Sequence, residues 1–222
     1  MSKEEIKEIL KLHKEWLQDG TKGKCADLRG AKLQYVDLRS ANLRYADLRD
    51  TDLQYAKLQY ADLRDTDLQY ANLQYADLQY ADLRDTDLQY TNLQYAKLQY
   101  ADLRYANLQY ANLRGADLQY ANLRGADLQY ADLRDTDLRG ADLQYADLRG
   151  ADLDFSCLPL WCSGLDFKID EKIAKQIAYH LVNLMQYSEL NTKKIFKKEM
   201  YKWLSDSHLV TEHNQKILEE KK

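Results

Sequence analysis

Leucine occupies every fifth position from Leu28 to Leu153 without an exception. Neither a helix, with its period of about 3.6 residues, nor a strand, with its period of about 2, keeps a five-residue spacing on one face. The residue two positions before each leucine is nearly always alanine, and the residue between them is nearly always Asp or Asn. The pattern predicts a stack of small units, each of which contacts only its neighbours.

Residues 26–155 form 26 consecutive pentads of the form A-(D/N)-L-(Q/R)-(Y/D/G). Because the alanine and the leucine are two residues apart, both can point inward while the Asp or Asn between them points outward. Asp and Asn suit tight turns because their side chains bond nearby backbone amides. We therefore expect a closed interior of leucine and alanine. Its predicted core leucines, taken from every fourth pentad, are Leu28, Leu48, Leu68, Leu88, Leu108, Leu128 and Leu148.

Before the pentads, residues 1–20 show the pattern of an amphipathic helix that ends at Gly20. Its apolar face has three- and four-residue spacing and consists of Ile6, Ile9, Leu10, His13 and Leu17. Because a repeat stack needs a cover on its first open unit, we expect this helix to be a cap. His13 is then a partly buried packing residue.

After the pentads, Asp170 can begin a helix with an apolar stripe along one side. The stripe is a candidate oligomer interface and includes Ile173, Ile177, Leu181 and Leu184. The predicted organisation is an N-terminal capping helix and linker at 1–25, the repeats at 26–160, and a helical region for capping or oligomerisation at 161–222.

The pentads match the A(D/N)LXX motif of the pentapeptide repeat proteins, over about 130 of the 222 residues. The segments LKLHKEWL and LPLWCSGLDFKIDEKIAKQIAYHL also resemble the ends of uncharacterised bacterial and phage-type members. The resemblance implies an all-β solenoid, a right-handed quadrilateral β-helix with four pentads per coil, here with an N-terminal capping helix and C-terminal α-helices. It also implies that some relatives inhibit DNA gyrase as acidic rods shaped like a DNA duplex, which dimerise through their C-termini.

One column of charges supports a coil of four pentads from the residues themselves. Taken from every fourth pentad, the second pentad position reads Asp37, Lys57, Asp77, Lys97 and Asp117. Each lysine in this charge column then lies between two acids. The alternation removes a repulsion of about 1 kcal/mol between like charges one rung apart. A coil of three or five pentads would not produce it.

The same spacing predicts an exterior with unlike faces. Tyrosines preceded by glutamine form three ladders: Tyr35, Tyr55, Tyr75 and Tyr95; Tyr60, Tyr80, Tyr100 and Tyr120; and Tyr70, Tyr90, Tyr110 and Tyr130. The fourth face carries an arginine column, which is a candidate interaction face: Arg44, Arg64, Arg84, Arg104 and Arg124. These arginines can bind phosphates or an acidic partner, or can be neutralised by the neighbouring aspartates. The tyrosines can stabilise the stack or form a protein-binding face.

Charge and composition narrow the classes of function. The pentads carry 22 acidic and 15 basic side chains, a net charge of −7, so a nucleic-acid partner is not favoured. The charged N-terminal segment and the lack of a long apolar run predict a cytoplasmic protein without a membrane span. Cys25, Cys157 and Cys162 are expected to be free thiols.

No segment resembles a phosphate-cradling glycine loop, a zinc-protease helix or a paired nucleophile and base. We therefore expect no enzyme activity, no metal and no cofactor. The favoured function is a non-catalytic structural or protein-interaction module that forms homo-oligomers through its C-terminal helices. The alternative is a DNA-mimicking inhibitor or modulator of DNA gyrase. Mixed charges and the lack of loops interrupting residues 26–155 weigh against this alternative.

Overall fold

The computed structural model describes residues 1–154, 156 and 174. The chain divides into two compact units, Met1–Lys168 and Ile169–Lys222, and nearly all of the described residues belong to the first. The predicted C-terminal helices lie outside the described residues. So do Cys157, Cys162 and the candidate oligomer interface, which consists of Ile173, Ile177, Leu181 and Leu184.

The pentads wind into coils of four. Every β-bridge in the described part is parallel and joins a residue to its equivalent four pentads later, from Asp27–Asp47 in the first coil to Asp132–Asp152 in the last. The bridges include every neighbouring pair of the charge column. The coil of four pentads predicted from the alternating charges is therefore confirmed. Pairing runs through isolated bridges, and the described residues contain no longer strand.

A coil of four pentads gives the solenoid four faces, which are numbered in chain order. Face 1 begins with residues 26–30, face 2 with 31–35, face 3 with 36–40 and face 4 with 41–45. Each following coil adds one pentad, or rung, to each face. Four faces joined by parallel bridges agree with the right-handed quadrilateral β-helix that the resemblance to pentapeptide repeat proteins implies.

The backbone N–H groups of each pentad follow one scheme. The first N–H closes a turn on the preceding leucine carbonyl, and the second donates to the previous coil. The third and fifth donate to the next coil, as Leu78 does to the Lys97 carbonyl at 2.7 Å. The fourth donates to the side chain at the second position, as Gln79 does to Asp77 at 3.3 Å. This last bond explains the Asp or Asn of the motif, because lysine offers no acceptor.

The fifth position of each pentad has a left-handed backbone. From Gly30 to Gly150, every fifth-position residue has φ between 56° and 74°, although only five of these residues are glycine. A turn with positive φ at its third residue alone is of type II, which favours glycine there. For other residues this conformation costs about 1–2 kcal/mol. Contacts of the fifth side chain must therefore offset the cost.

The interior is apolar and closed. All leucines from Leu28 to Leu153 are at most 2% exposed, and they include the seven predicted core leucines. Threonines that replace the first-position alanine are also buried, and their hydroxyls donate to leucine carbonyls. The hydroxyl of Thr86, for example, lies 2.7 Å from the Leu63 carbonyl oxygen. These polar replacements therefore leave no unpaired buried hydroxyl.

The N-terminal helix, α1, spans Lys3–Gln18, as the apolar spacing predicts. It begins with a capping box: the Ser2 hydroxyl accepts the Glu5 N–H at 3.1 Å, and the Glu5 carboxylate accepts the Ser2 N–H at 2.6 Å. Ile6 is buried, and the ring of Trp16 meets the ring of Tyr45 edge-on at 6.3 Å. The helix therefore packs against the first coil.

His13 joins α1 to the first pentad. Its Nδ1 accepts the N–H of Ala26 at 3.1 Å, and the side chain is fully buried rather than partly buried. In every later pentad, the equivalent N–H donates to a preceding leucine carbonyl, but the first pentad has no predecessor. The sequence pattern identified His13 only as a packing residue. It is also the acceptor that completes the first coil.

Lowering the pH is expected to loosen the cap. Burial lowers the pKa of His13 below its ordinary 6.5, opposed in part by the Arg44 backbone. Because Nδ1 can accept the Ala26 N–H only when it is unprotonated, the native state favours the neutral ring. The stabilisation is therefore complete above about pH 6.5 and is lost as the pH falls through the lower pKa of the folded state.

Hydrogen-exchange protection of the Ala26 amide, followed from about pH 7 to pH 5, measures this loss. We expect protection to decrease toward acid in the wild type. The His13→Gln variant, which has no group titrating there, serves as the control and should show a flat profile. Equal protection of the wild type at both ends of the range would contradict the role of His13.

Candidate interaction surface

The tyrosines dominate the exterior of the solenoid. Every tyrosine in the described part occupies a fifth pentad position and is 41–71% exposed. Twelve of the rings stack along the faces, with centroids 5.0–5.2 Å apart and planes within 12° of parallel. The three predicted ladders are confirmed: the one starting at Tyr70 lies on face 1, at Tyr35 on face 2 and at Tyr60 on face 3. Stacked aromatic pairs contribute about 0.5–1.5 kcal/mol, comparable to the cost of positive φ.

Each tyrosine ladder ends on a glycine in the next coil. The last rings, Tyr95, Tyr120 and Tyr130, lie against Gly115, Gly140 and Gly150. A Cβ at Gly115 would be 2.5 Å from Cε1 of Tyr95. Because these glycines have no side chain, the terminal rings can lie directly against their backbone. Sequence reasoning missed them, although a glycine one coil after the last tyrosine of a ladder was the available signal.

Replacing Gly115 by tyrosine is expected to extend the face 2 ladder by one ring. The φ of Gly115 is 68°, close to the values that the tyrosines already adopt. The Tyr95 ring can lift and stack on the new ring, so we expect the free energy of unfolding to change by less than about 1 kcal/mol. Near-ultraviolet circular dichroism should show a stronger tyrosine signal.

Gly30→Tyr is the matched control, because Gly30 also has positive φ but the next rung of its column is Asp50. It should add a tyrosine without strengthening the stacking signal. A loss of more than about 2 kcal/mol in the free energy of unfolding of Gly115→Tyr would show that the end of the ladder requires glycine.

Fourth-position glutamines link adjacent coils beside the ladders. Some donate to the next glutamine, as Gln79 does to Gln99 at 2.9 Å. Others donate to an aspartate of the next coil, as Gln69 does to Asp87 at 2.6 Å. The ladder faces are therefore ordered at both their fourth and fifth positions.

The arginine column on face 4 is largely neutralised within the solenoid. Arg64, Arg84 and Arg104 each bind the aspartate two residues earlier through Nε and Nη2, at 2.6–2.9 Å. Arg64 and Arg84 also approach the aspartate of the next coil, at 3.3 and 3.6 Å. The result is an alternating chain of carboxylates and guanidinium groups.

The two ends of the arginine column differ because Asn replaces Asp two residues earlier. Arg44 lies over the ring of Tyr45, 5.0 Å from its centroid, and Arg124 lies 5.1 Å from that of Tyr145. Neither has an ion pair with another described residue. The distinction between D-L-R and N-L-R pentads was readable in the sequence. Binding of a partner by the column remains a prediction.

Arginine contacts also set the acidity of several aspartates. Hydrogen bonds from Arg29 and Arg39 lower the pKa values of Asp27 and Asp37 to about 2. Asp67 on face 1 behaves differently, because burial raises its pKa and the neighbouring Asp47 and Asp87 act in the same direction. Asp67 lies 3.3 Å from Nε of Arg49, which acts in the opposite direction but does not outweigh burial.

The lysines of the charge column on face 3 have no such contacts. Lys57 and Lys97 are exposed, and neither lies within ion-pair distance of a carboxylate among the residues that the structure describes. Asp77 and Asp117 are half-buried, and Asp117 accepts hydrogen bonds from Gln99 and Gln119. The column thus presents separate, alternating charges to the exterior.

The part of the chain that the structure describes holds no group of three His, Cys, Asp or Glu side chains arranged for a metal ion. Within that same part, no helix has the length and hydropathy needed to cross a membrane. Cys25, the cysteine that is described, is a free thiol, and burial raises its pKa.

Solved structures similar to the chain include several proteins with the same repeat. HetL, a pentapeptide repeat protein involved in heterocyst differentiation regulation in Nostoc sp. strain PCC 7120, is 33% identical, with 64% of this chain and 82% of HetL covered and a TM-score of 0.21. Rfr23, a pentapeptide repeat protein from Cyanothece, is 28% identical, with coverage of 65% and 87% and a TM-score of 0.24. QnrB1, a plasmid-mediated fluoroquinolone resistance protein, was solved as a trypsin-treated variant. It is 17% identical, with 72% of this chain and 89% of QnrB1 covered and a TM-score of 0.42.

A comparison with curated proteins found no match. The model of the family described as pentapeptide repeats, in eight copies, matches residues 24–54, 46–85, 66–104, 81–119 and 116–154. Together these segments cover more than half of the chain, and they coincide with the coils described above. The chain belongs to the pentapeptide repeat family.

Proposed function

We propose that the chain is a non-catalytic protein-interaction module in the cytoplasm, with the three tyrosine ladders as its contact surface. The observation that carries the proposal is the exposure of rings that are already fixed in stacks. Tyrosine is enriched at protein interfaces because it gives a large contact area with few rotatable bonds. Rings ordered before binding lose less entropy when a partner docks.

Affinity capture with the full chain as bait tests this function. We expect a specific partner to be captured at least about tenfold less by a variant of the ladder that it uses. The ladder variants replace the two central tyrosines of each ladder by serine: Tyr90 and Tyr110, Tyr55 and Tyr75, or Tyr80 and Tyr100. The control replaces Tyr105 and Tyr145, which lie outside the ladders. Equal capture by all of these baits would contradict the proposal.

Self-association through the C-terminal helices belongs to the same proposal. The apolar stripe from Ile173 to Leu184 in the sequence supports this part of the proposal. At high salt, which screens charge pairing between solenoids, sedimentation should show an oligomer for the full chain and none for a truncation to residues 1–164. If both species sediment as monomers, the C-terminal region does not drive association.

A DNA-mimicking inhibitor of gyrase is the second candidate. The favouring observation is the second position of face 1, which is acidic in all coils but one: Asp27, Asp47, Asp67, Asp87, Asn107, Asp127 and Asp147. Arginine contacts neutralise the ends of this column, which weakens the resemblance to a phosphate backbone. A supercoiling assay with purified gyrase tests this candidate. Inhibition that is lost in the double variant Asp87→Asn with Asp127→Asn supports mimicry. No effect at micromolar protein excludes it.

A further inference from the structure

Face 3 has a pattern that reads almost the same in both directions along the solenoid. Its six rungs are VDLRS, AKLQY, ADLQY, AKLQY, ADLQY and TDLRG, which begin at residues 36, 56, 76, 96, 116 and 136. The four central rungs carry the tyrosine ladder. The two outer rungs end in a small residue, Ser40 or Gly140, and carry Arg39 or Arg139. Reversal of the rung order leaves this arrangement unchanged.

The charges of the four central rungs are inverted by the same reversal. In chain order, the second positions are Lys57, Asp77, Lys97 and Asp117. In reverse order, a lysine stands wherever an aspartate stood. The outer aspartates, Asp37 and Asp137, do not disturb the pattern, because each is bound by the arginine of its own rung at 2.5 Å.

We propose that face 3 binds a second copy of this chain in antiparallel orientation. A two-fold axis across the face, between the rungs at 76–80 and 96–100, places each column opposite the same column of the other copy in reverse order. Lys57 then faces Asp117 of the second copy, and Asp77 faces Lys97. The tyrosine ladder faces the tyrosine ladder about the same axis. The proposal names one partner for the ladder surface and so rests on the proposed function.

The lysines of face 3 are available for such contacts. Both are exposed and without ion pairs among the described residues, whereas the arginines of the D-L-R pentads are bound to aspartates of their own rungs. Opposite charges across an interface fix its register and penalise the parallel arrangement, in which like charges would meet.

The other faces do not have this complementarity. The second position of face 1 is acidic in six of seven rungs, so two copies would repel each other. Face 2 has one lysine, Lys32, and mostly asparagine in its central rungs. The central arginines of face 4 are already paired with aspartates of the same solenoid. Four rungs span only about 19 Å, so we expect a small interface and a weak, salt-sensitive dimer.

Charge exchange between two variants of the full chain tests the proposal. Lys57→Asp with Lys97→Asp makes the central column entirely acidic, and Asp77→Lys with Asp117→Lys makes it entirely basic. In sedimentation at low salt, each variant alone should associate at least about tenfold more weakly than wild type, and an equimolar mixture should recover association. Lys32→Asp makes one such Lys-to-Asp replacement on face 2 and should leave association unchanged.

Circular dichroism checks that each variant is folded. If either of the two charge variants is not folded, Lys57→Gln with Lys97→Gln replaces it and should also weaken association. The proposal is overturned if wild type remains monomeric, if the folded variants associate as wild type does, or if the mixture does not recover. Association that is equal in all samples would instead assign self-association to the C-terminal region, and the capture experiment would still test the ladders of faces 1 and 2.

Discussion

Replacing Leu88 by alanine is expected to lower the free energy of unfolding by about 2–5 kcal/mol. Leu88 is 1% exposed and lies in a middle coil of the interior. The substitution leaves a cavity that the neighbouring coils cannot fill, because their backbones are fixed by hydrogen bonds on both sides. Urea unfolding followed by circular dichroism measures the change.

Gln89→Ala is the matched control for the leucine variant, since it removes a side chain from the same pentad but from the exterior. Gln89 is half-buried and donates to Gln109 at 3.1 Å, so we expect a loss of less than about 1 kcal/mol. Similar losses for both variants would contradict a closely packed interior.

Replacing Gly23 by alanine is expected to cost about 2–4 kcal/mol and to detach α1 from the first coil. The φ of Gly23 is 63°, and a Cβ there would overlap the carbonyl oxygen of Leu12. That oxygen also accepts the N–H of Lys24 at 3.0 Å, so the backbone cannot move aside without losing this bond. Hydrogen exchange of α1 measures the detachment.

Gly20→Ala provides the control, because nothing lies within 4 Å of a Cβ at Gly20 and its φ is not positive. This variant should retain the exchange protection of α1 and should be neutral or slightly stabilised. Loss of protection in both variants would show that the linker tolerates no side chain, whatever its geometry.

The sequence predicted the repeat geometry well because each face repeats its own residues. The alternation of Asp37, Lys57 and Asp77 indicated the coil of four pentads, and the bridges join these residues. The tyrosine spacing likewise predicted the ladders, since side chains at the same position of successive coils must lie on adjacent rungs. In a solenoid, register alone decides which side chains are neighbours.

Contacts that depend on side-chain direction were not predictable from register. Nothing in the spacing shows that Arg64 turns back to Asp62 in its own rung, or that the Tyr95 ring leans toward the following coil. The role of His13 was hidden for a related reason. It depends on an N–H at the first pentad that lacks a partner, and so on how α1 meets the first coil.

A zero-length carbodiimide cross-link between Lys57 and Asp117 tests the self-recognition of face 3 most directly. Within one chain these residues are three rungs, about 14 Å, apart, so an amide bond between them must join two chains. In an equimolar mixture of unlabelled and isotope-labelled wild-type protein at low salt, mass spectrometry should find mixed-isotope peptides linked at this pair. The absence of that link, with lysine–aspartate links confined to neighbouring rungs of the same chain, would contradict the antiparallel pairing.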